Sequence, residues 1–246
     1  MSEGRPLLVH GFVHAEIAET LSELLGSRAE TLIREPSRSG IVALATELGS
    51  ADPARDFADP KTVTALALDH AHVLAVVSGA HDVAPLRLGT LVSGREALRE
   101  LCEAQSGAAV RALRAIGGQV EFGLRALPAP EADRAPQERP VDGRAYLRAR
   151  SMERSGNARR SEAQRDFCAS LADRIGAICR VRSLGSEAVR LAKGRLIDLA
   201  CLVDRRRVDA FAEAVEAEAA LAREQGISLE TTGPWPPYSF VAAEAC

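Results

Sequence analysis

The order of apolar segments in the N-terminal part of the chain is the feature that most limits its fold. Apolar residues that recur with period two predict strands, and a period near 3.6 predicts helices. Along the chain these segments alternate as strand, helix, strand, strand, helix and strand. That order is typical of a ferredoxin-like arrangement, an antiparallel sheet with two helices on one face. The predicted segments cover residues 6–13, 15–25, 31–34, 41–48, 60–78 and 83–92.

A further helix and strand extend this core. Ser93 and Glu96 have the spacing of a capping box, in which a hydroxyl and a carboxylate satisfy free backbone N–H groups at a helix start. The helix is predicted to reach Ile116, and residues 119–127 are predicted to form a strand. The N-terminal domain is therefore predicted to span residues 1–127, as a ferredoxin-like antiparallel sheet with helices plus a helix-strand extension.

A second domain is predicted beyond a linker. Residues 128–142 are rich in proline and charge and lack apolar periodicity, so they are predicted to form an exposed, fairly stiff linker. Residues 143–246 are predicted to form a helical and small-sheet α+β domain, which makes the fold class α+β with two domains. The elements predicted in it are a helix over 143–180, hairpin strands over 188–192 and 196–203, a helix over 204–225 and a strand over 227–231.

A segment near the C-terminus, residues 230–240, contains the only tryptophan of the chain, and we call it the terminal segment. Proline fixes its own φ and favours extended conformations before it, so the segment is predicted to be stiff and close to polyproline II. Either the segment seals the core of its domain, or it is a recognition element, because Trp and Tyr dominate interface hot spots. Both can hold if one ring edge stays exposed. The candidate partner-binding residues are Trp235, Tyr238 and Phe240, and the residues that set the backbone are Gly233, Pro234, Pro236 and Pro237.

Composition excludes several classes of protein. A formal net charge of −3 gives no general attraction to nucleic acid or anionic lipid. No apolar run approaches the roughly 20 residues that span a bilayer, and the N-terminus lacks a secretion signal, so we expect a cytoplasmic protein without a membrane partner. The five cysteines are odd in number and form no C-x-x-C pair, so neither a disulfide framework nor a thiolate zinc site is predicted.

Residues that could carry chemistry do not converge in the sequence. His70 and His72 lie on one predicted helix, where residues two apart point in different directions and cannot share an ion. Glycine-rich phosphate loops and a G-x-S-x-G nucleophile motif are absent from the sequence. We therefore expect no catalytic residue, no metal and no cofactor, and a protein that is not an enzyme.

A basic run lies at the start of the second domain. Residues 143–165 contain seven arginines against Glu153 and Glu162, a local charge of +5. An RNA-binding ferredoxin-like domain needs aromatic platforms on its strands, and the predicted strands before the linker offer only Phe12 and Phe122. A nucleic acid partner is therefore not expected. The run is predicted to be a solvated face or a docking patch for an acidic partner.

One charged pair is predicted from topology. Arg87 interrupts the apolar segment 83–92, and an unpaired buried guanidinium would be costly. Glu121, on the added strand, is the nearest plausible partner. We expect Arg87 and Glu121 to pair and to fasten the extension to the core, as a structural role.

The octapeptide GPWPPYSF, residues 233–240, resembles the terminal signature of the gas vesicle protein F and L family. Three further stretches fit that family in the expected order, and together the matches span roughly residues 70 to 241. The N-terminal strand departs from it, with His10 and Phe12 where a tyrosine-rich start is expected. The supporting stretches are residues 83–90, 143–147 and 202–204.

The resemblance implies an accessory protein of gas vesicle assembly and buoyancy. Such a protein would bind the small hydrophobic vesicle shell protein and other accessory proteins, since an apolar subunit aggregates unless a soluble protein covers it. The resemblance leaves open the F or L branch, the oligomeric state, and whether the protein nucleates, chaperones or lines the vesicle as a minor component. The alternative is a small-molecule-binding regulatory or enzymatic domain pair, since this scaffold hosts many functions. A deep polar pocket would favour the alternative, and a shallow apolar groove with an exposed Trp235 edge would favour assembly.

Overall fold

The computed structural model describes residues 5–50, 52–129, 143–186, 189–190 and 193–241. The chain divides into two compact units. Unit 1 comprises residues 1–121 and 234–246, and unit 2 comprises residues 122–233. Residues 234–240 of the terminal segment therefore belong with the N-terminal unit, although the whole segment was predicted to be part of the C-terminal domain. Most of the predicted linker lies outside the described residues, and its character stays a prediction.

Unit 1 has the ferredoxin-like architecture, and this prediction is confirmed. Its main sheet has the strand order β2-β3-β1-β4, and every pair is antiparallel. The short β5 also pairs with β1. The elements are β1 (Leu7–His14), α1 (Leu21–Leu25), β2 (Leu32–Pro36), β3 (Ile41–Glu47), α2 (Pro53–Ala58), α3 (Pro60–Ala80), β4 (Val83–Pro85), β5 (Leu91–Val92), α4 (Arg95–Ile116) and, after unit 2, α7 (Tyr238–Val241).

Helix α3 starts where the sequence predicts. The Asp59 carboxylate accepts hydrogen bonds from the backbone N–H groups of Lys61 and Thr62, and Pro60 occupies the first turn, where no N–H is needed. The helix predicted over residues 15–25 is shorter than expected. A 3-10 turn, Ala15–Ile17, precedes α1. The hydroxyl and the N–H of Thr20 both donate to Ile17 O, which separates this turn from α1.

Two local predictions in unit 1 are wrong. The strand predicted over residues 83–92 is split into β4 and β5, because Gly89 has φ of 90° and the N–H and hydroxyl of Thr90 both donate to Arg87 O in a turn. The predicted capping box does not form either. The N-cap position of α4 is occupied by Gly94, which has no side chain to cap the helix, and not by Ser93. Glu96 forms an ion pair with Arg99.

The sheet of unit 1 is covered by helices on both faces. Alternate strand residues point to opposite faces, so Val13, Val42 and Leu44 enter one apolar cluster together with residues of α1 and α3. Helix α4 packs against β1, β2 and β3 but contributes no residue to that cluster, which places it on the other face. There the Cys102 thiol lies 3.3 Å from Glu35 O.

Strand β1 carries a bulge that matters for the interior. The register with β3 shifts between Val9 and Gly11, so His10 is the extra residue. A bulge redirects the side chain of the inserted residue. Gly11 must stay side-chain free, because a Cβ there would lie 2.6 Å from Ala84 O on β4.

Unit 2 contains a four-stranded sheet with the order β7-β8-β6-β9, and helices α5 and α6. Strand β6, predicted as part of the N-terminal extension, lies between β8 and β9 in this sheet. The core of the unit includes Phe122 and Phe211, whose ring centroids are 5.2 Å apart. The elements are β6 (Gln119–Pro128), α5 (Gly143–Gly176), β7 (Arg180–Ser183), β8 (Ile197–Asp204), α6 (Val208–Glu224) and β9 (Ile227–Trp235).

The hairpin of unit 2 differs from the predicted one. Helix α5 ends at Gly176, short of the predicted residue 180, which frees Arg180–Ser183 to form β7. Strand β7 pairs with β8 in antiparallel register, with Arg180 opposite Leu202. Of the hairpin strand predicted over residues 188–192, residues 189 and 190 are helical, and residues 188, 191 and 192 lie outside the described residues. Asp204, predicted to cap the following helix directly, caps a 3-10 turn at the Arg206 N–H instead.

Candidate functional site along helix α3

Helix α3 is unusually apolar for a helix with so much exposed surface. By length and composition α3 could cross a membrane, because an 18-residue stretch of it has a mean hydropathy of 1.4. Only 28% of that stretch is buried in the structure. Its inner face buries Val73, Leu74 and Val77. On its outer face Leu68 is 67% exposed and Ala71 is also exposed. The helix therefore has an apolar side that is not covered within unit 1.

A buried pair of histidines joins α3 to the sheet. His70 Nδ1 lies 3.0 Å from His10 Nδ1, His70 Nε2 lies 3.2 Å from Leu86 O, and His10 Nε2 lies 3.1 Å from Thr46 Oγ1. A carbonyl only accepts, so His70 carries its proton on Nε2 and accepts at Nδ1 from His10. His10 Nε2 then accepts from the Thr46 hydroxyl. Every ring nitrogen is satisfied when both rings are neutral.

The environment favours those neutral rings. Burial and the nearby His70 lower the pKa of His10 to about 3, and burial also lowers the pKa of His70. No sequence pattern indicates this pair, because the two residues are 60 positions apart. It did predict that His70 and His72 diverge, and His70 is buried whereas His72 is exposed.

The terminal segment is fastened to unit 1 by Glu121. The Ser239 N–H and hydroxyl donate to the two carboxylate oxygens of Glu121, over 2.8 and 2.7 Å. Glu121 itself is buried, so this pair of bonds satisfies a carboxylate removed from water.

The predicted pairing of Arg87 with Glu121 is wrong, because it assumed that Arg87 is buried. Arg87 is exposed in the turn before β5 and needs no buried partner.

The conformation of the terminal segment also differs from the predicted polyproline rod. Strand β9 continues through Gly233 and Pro234 to Trp235, with Gly233 at φ of 124°. Pro236 and Pro237 are buried, and the chain then turns into the short helix α7. The proline positions thus end a strand and start a helical turn.

The three aromatic residues of the segment have different environments. Phe240 is only 7% exposed, and Tyr238 packs against the cluster that joins α1, α3 and the sheet. Burial, with the nearby Glu121 charge, raises the pKa of Tyr238 to about 12. Trp235 is 49% exposed. The structure thus combines a buried anchor with an exposed ring, and the role of these residues in partner binding stays a prediction.

Trp235 and Tyr238 line an open depression along α3 with a volume of about 1440 Å³. Its other walls come from the outer side of α3 and from the chain around β2 and β3. Apolar lining residues include Ile33, Leu66 and Leu68. We call this surface the α3 depression. The sequence signal that could have found it is the near absence of charge on α3, which carries only Lys61 and Asp69 among its acidic and basic residues.

Five charged residues line the α3 depression, and two of them neutralise each other. Arg28 and Asp69 form an ion pair. Glu30 and Glu47 also line the depression, and β-strand register places them at the same end of the sheet, since Leu32 is opposite Thr46. Both carboxylates are exposed and make no ion pair within the described part of the chain. Arg95 is the remaining charged lining residue.

Other candidates from the sequence are not brought to this site. Residues 143–165 lie on α5 in unit 2, and the seven arginines there are exposed. In the residues that the structure describes, no group of three or more His, Cys, Asp or Glu side chains could hold a metal ion. Cys168 is buried and burial raises the pKa of its thiol to about 11, which suits a core residue.

Comparison with known proteins assigns the family. The family described as gas vesicle synthesis protein GvpL/GvpF matches residues 7–242 of the chain. The chain belongs to this family. The resemblance found in the terminal octapeptide is thereby confirmed, and membership supports a role related to gas vesicles.

Individual relatives agree with the assignment. Gas vesicle protein L of Streptomyces sp. (strain CB03234) is 31% identical over 184 residues, which is 70% of this chain and 66% of that protein. The crystal structure of GvpF from Anabaena sp. PCC7120 matches with a TM-score of 0.67 at 15% identity, covering 96% of this chain and 95% of that one. GvpF from Microcystis aeruginosa matches with a TM-score of 0.61 at 14% identity, covering 96% and 98%. At these identities the structural likeness establishes the fold, an α+β fold with two domains.

Proposed function

We propose that the protein is a gas vesicle accessory protein that binds the hydrophobic vesicle shell protein, and other accessory proteins, while vesicles form. The observation that carries this proposal is the match of the GvpL/GvpF family to residues 7–242. The proposed setting is the cytoplasm and the surface of the vesicle, and the proposed outcome is buoyancy.

The α3 depression supports the proposal physically. An apolar subunit exposes surface before it polymerises and aggregates unless another protein covers that surface. Leu68 and Trp235 are large, exposed apolar side chains in unit 1, and both line the depression. Exposed apolar patches rimmed by polar residues are typical of protein-binding surfaces. The depression is the kind of open, apolar groove that favours assembly over the alternative of a small-molecule site.

The proposed role is non-catalytic. The most chemically distinctive groups of unit 1 are His10 and His70, and both are buried beneath α3 with their ring nitrogens occupied. A general base must reach the proton that it abstracts. These histidines are closed to a substrate, and their geometry suits a structural connection between α3 and the sheet.

Co-expression tests the proposal. The full chain, tagged, is co-expressed with the vesicle shell protein of its own organism, and captured complexes are compared with a capture that uses an unrelated tagged protein. We expect the shell protein to co-purify and cells without this chain to lose normal flotation. Normal flotation without the chain, together with no capture, would contradict the proposal.

A further inference from the structure

The α3 depression is larger than a small-molecule site. Pockets for drug-sized ligands measure about 300–1,000 Å³, whereas this one has a volume of about 1440 Å³ and is open to solvent. A surface of that size accommodates several residues of a polypeptide. The uncovered side of α3 already forms one wall, so the missing element is one that packs along a helix.

The side chains on that wall suit a second helix. Ala65, Leu68, Ala71 and Ala75 all line the depression and recur at three- and four-residue spacing. Such spacing forms a ridge along one helix side, and the ridge of one helix can pack into a groove of another. The alanines permit close approach of the helix axes, and Leu68 and Trp235 supply the large apolar contacts. A helix with its own apolar side is the complementary element.

Two exposed carboxylates of the depression specify the charge on the flank of that helix. Glu30 and Glu47 are exposed carboxylates that make no ion pair among the described residues, whereas Asp69 is neutralised by Arg28. A lysine or arginine beside the apolar side of the docked helix would meet these carboxylates, and an acidic residue there would be repelled. The lining has a net charge of −1, because two arginines oppose three carboxylates: Arg28 and Arg95 against Glu30, Glu47 and Asp69.

We propose that the α3 depression binds an amphipathic helix with lysine or arginine along one flank, presented by the vesicle shell protein. This inference rests on the proposed function for the identity of the partner. Recognition of the helix rests on the geometry and charge of the depression alone. Apolar contact with Leu68 and Trp235 supplies affinity, and Glu30 with Glu47 selects the basic flank and the direction of the helix.

The sole tryptophan of the chain makes the site observable. Trp235 lies half-exposed in the depression, so a docked helix should remove water from the indole and shift its emission to shorter wavelength. The probes are two synthetic peptides of about 18 residues, long enough to form a helix on binding. They share one apolar side without aromatic residues and carry either lysine or glutamate along the flank. Each is titrated into the full-length protein.

We expect the lysine peptide to shift the emission and to bind about fivefold to tenfold more tightly than the glutamate peptide at low salt. The double variant Glu30→Lys/Glu47→Lys should reverse this preference. Raising the salt concentration should reduce the preference in both proteins, because the carboxylates are exposed. Equal binding of the two peptides, unchanged in the double variant, would overturn the proposed basic flank.

The apolar contact has a matched control. Leu68→Glu should weaken the lysine peptide by at least about tenfold, whereas Leu221→Glu, at an exposed leucine on α6 in unit 2, should leave binding unchanged. Both leucines are exposed, so both variants should retain the circular dichroism and melting temperature of the parent. Equal effects of the two substitutions, or no emission shift with either peptide, would overturn the site.

The shell protein itself separates this inference from the proposed function. Capture of the shell protein that survives Leu68→Glu and the charge-reversed double variant would refute the α3 depression as its site and leave the accessory role intact. Binding of the lysine peptide without any capture of the shell protein would refute the proposed partner and retain the helix-binding site. Capture that is lost in Leu68→Glu and kept in Leu221→Glu is the result that we expect.

Discussion

The two sides of helix α3 differ in what they contribute to the protein. The inner side buries Val73, Leu74 and Val77 and hydrogen-bonds to the sheet through His70. The outer side exposes Leu68 and several alanines and has almost no charge. An ordinary surface helix carries charged residues on its outer side. The inner side therefore stabilises unit 1, whereas the outer side is the surface at which we propose that a partner docks.

The terminal segment shows the same division over a few residues. Phe240 is buried against unit 1, and Trp235 is half-exposed in the α3 depression. Glu121 and Ser239 hold the segment between these two positions. If the division is correct, substitutions on the buried side should change stability, and substitutions on the exposed side should change binding.

The largest effect on stability should come from Phe240→Ala. Removing a buried phenylalanine costs both the burial of the ring and the cavity left behind, about 3–5 kcal/mol of unfolding free energy. Urea denaturation followed by Trp235 emission measures the change in unit 1. Leu88→Ala, at an exposed leucine in the turn after β4, is the matched control and should be nearly neutral. A Phe240→Ala loss as small as that of the control would show that the segment is not an anchor.

The second-largest effect should be a loss of unfolding free energy in acid, caused by the buried His10. The pKa of His10 is lowered from its ordinary value of 6.5 to about 3, so the folded state favours the neutral ring. Stability is fully present above pH 6.5 and falls as the pH decreases from 6.5 toward 3, because the unfolded chain binds the proton more readily. The loss attributable to His10 should be about 3 kcal/mol near pH 4.

The variant His10→Asn isolates that contribution. Asparagine does not titrate in this range, so the variant should show a flatter dependence of unfolding free energy on pH between about 4 and 7. His72→Asn, at an exposed histidine on α3 two residues from His70, should retain the parent profile. A parent profile that stays unchanged in His10→Asn would show that the buried pair does not control acid stability.

A smaller loss is expected at the fastening of the terminal segment. Glu121→Gln places an amide N–H where the carboxylate accepted a hydrogen bond, and it should cost roughly 1–3 kcal/mol. Ser239→Ala removes the hydroxyl bond and keeps the backbone bond, so its cost should be nearer to about 1 kcal/mol. Chemical denaturation of both variants measures the two values. A larger loss for Ser239→Ala than for Glu121→Gln would contradict the assigned geometry.

The smallest effect on stability should come from Trp235→Ala. The indole is half-exposed, so its removal should change unfolding free energy by no more than about 1 kcal/mol. Circular dichroism must follow the unfolding, because the variant has no tryptophan. Capture of the shell protein should nevertheless be lost. A strong loss of stability with capture intact would place Trp235 on the buried side and contradict the division of the terminal segment.

Much of unit 1 could be predicted from the sequence. The alternation of periods two and 3.6 gave the ferredoxin-like order, and Asp59 before Pro60 located the start of α3, since both signals are local. The terminal octapeptide indicated the family. The capping box at Ser93 failed, because Glu96 is also within reach of Arg99 and pairs with it instead.

The candidate site could be predicted only in part. The rings of Trp235 and Tyr238 were identified as candidates from composition and stiffness. The part of the chain against which these rings pack was not identified, because the segment follows unit 2 in the sequence but packs with unit 1. Leu68 was missed, since an exposed leucine and a buried leucine look alike in an amphipathic pattern.

The sequence alone determined the local elements, the ferredoxin-like order and the family, because each depends on residues close together in the chain. Only the tertiary structure decided that Glu121 receives Ser239, which is 118 residues away, and that His10 meets His70. It also decided which side of α3 stays uncovered. Contacts between distant residues are selected by packing and by the need to satisfy buried polar groups, and neither leaves a period in the sequence.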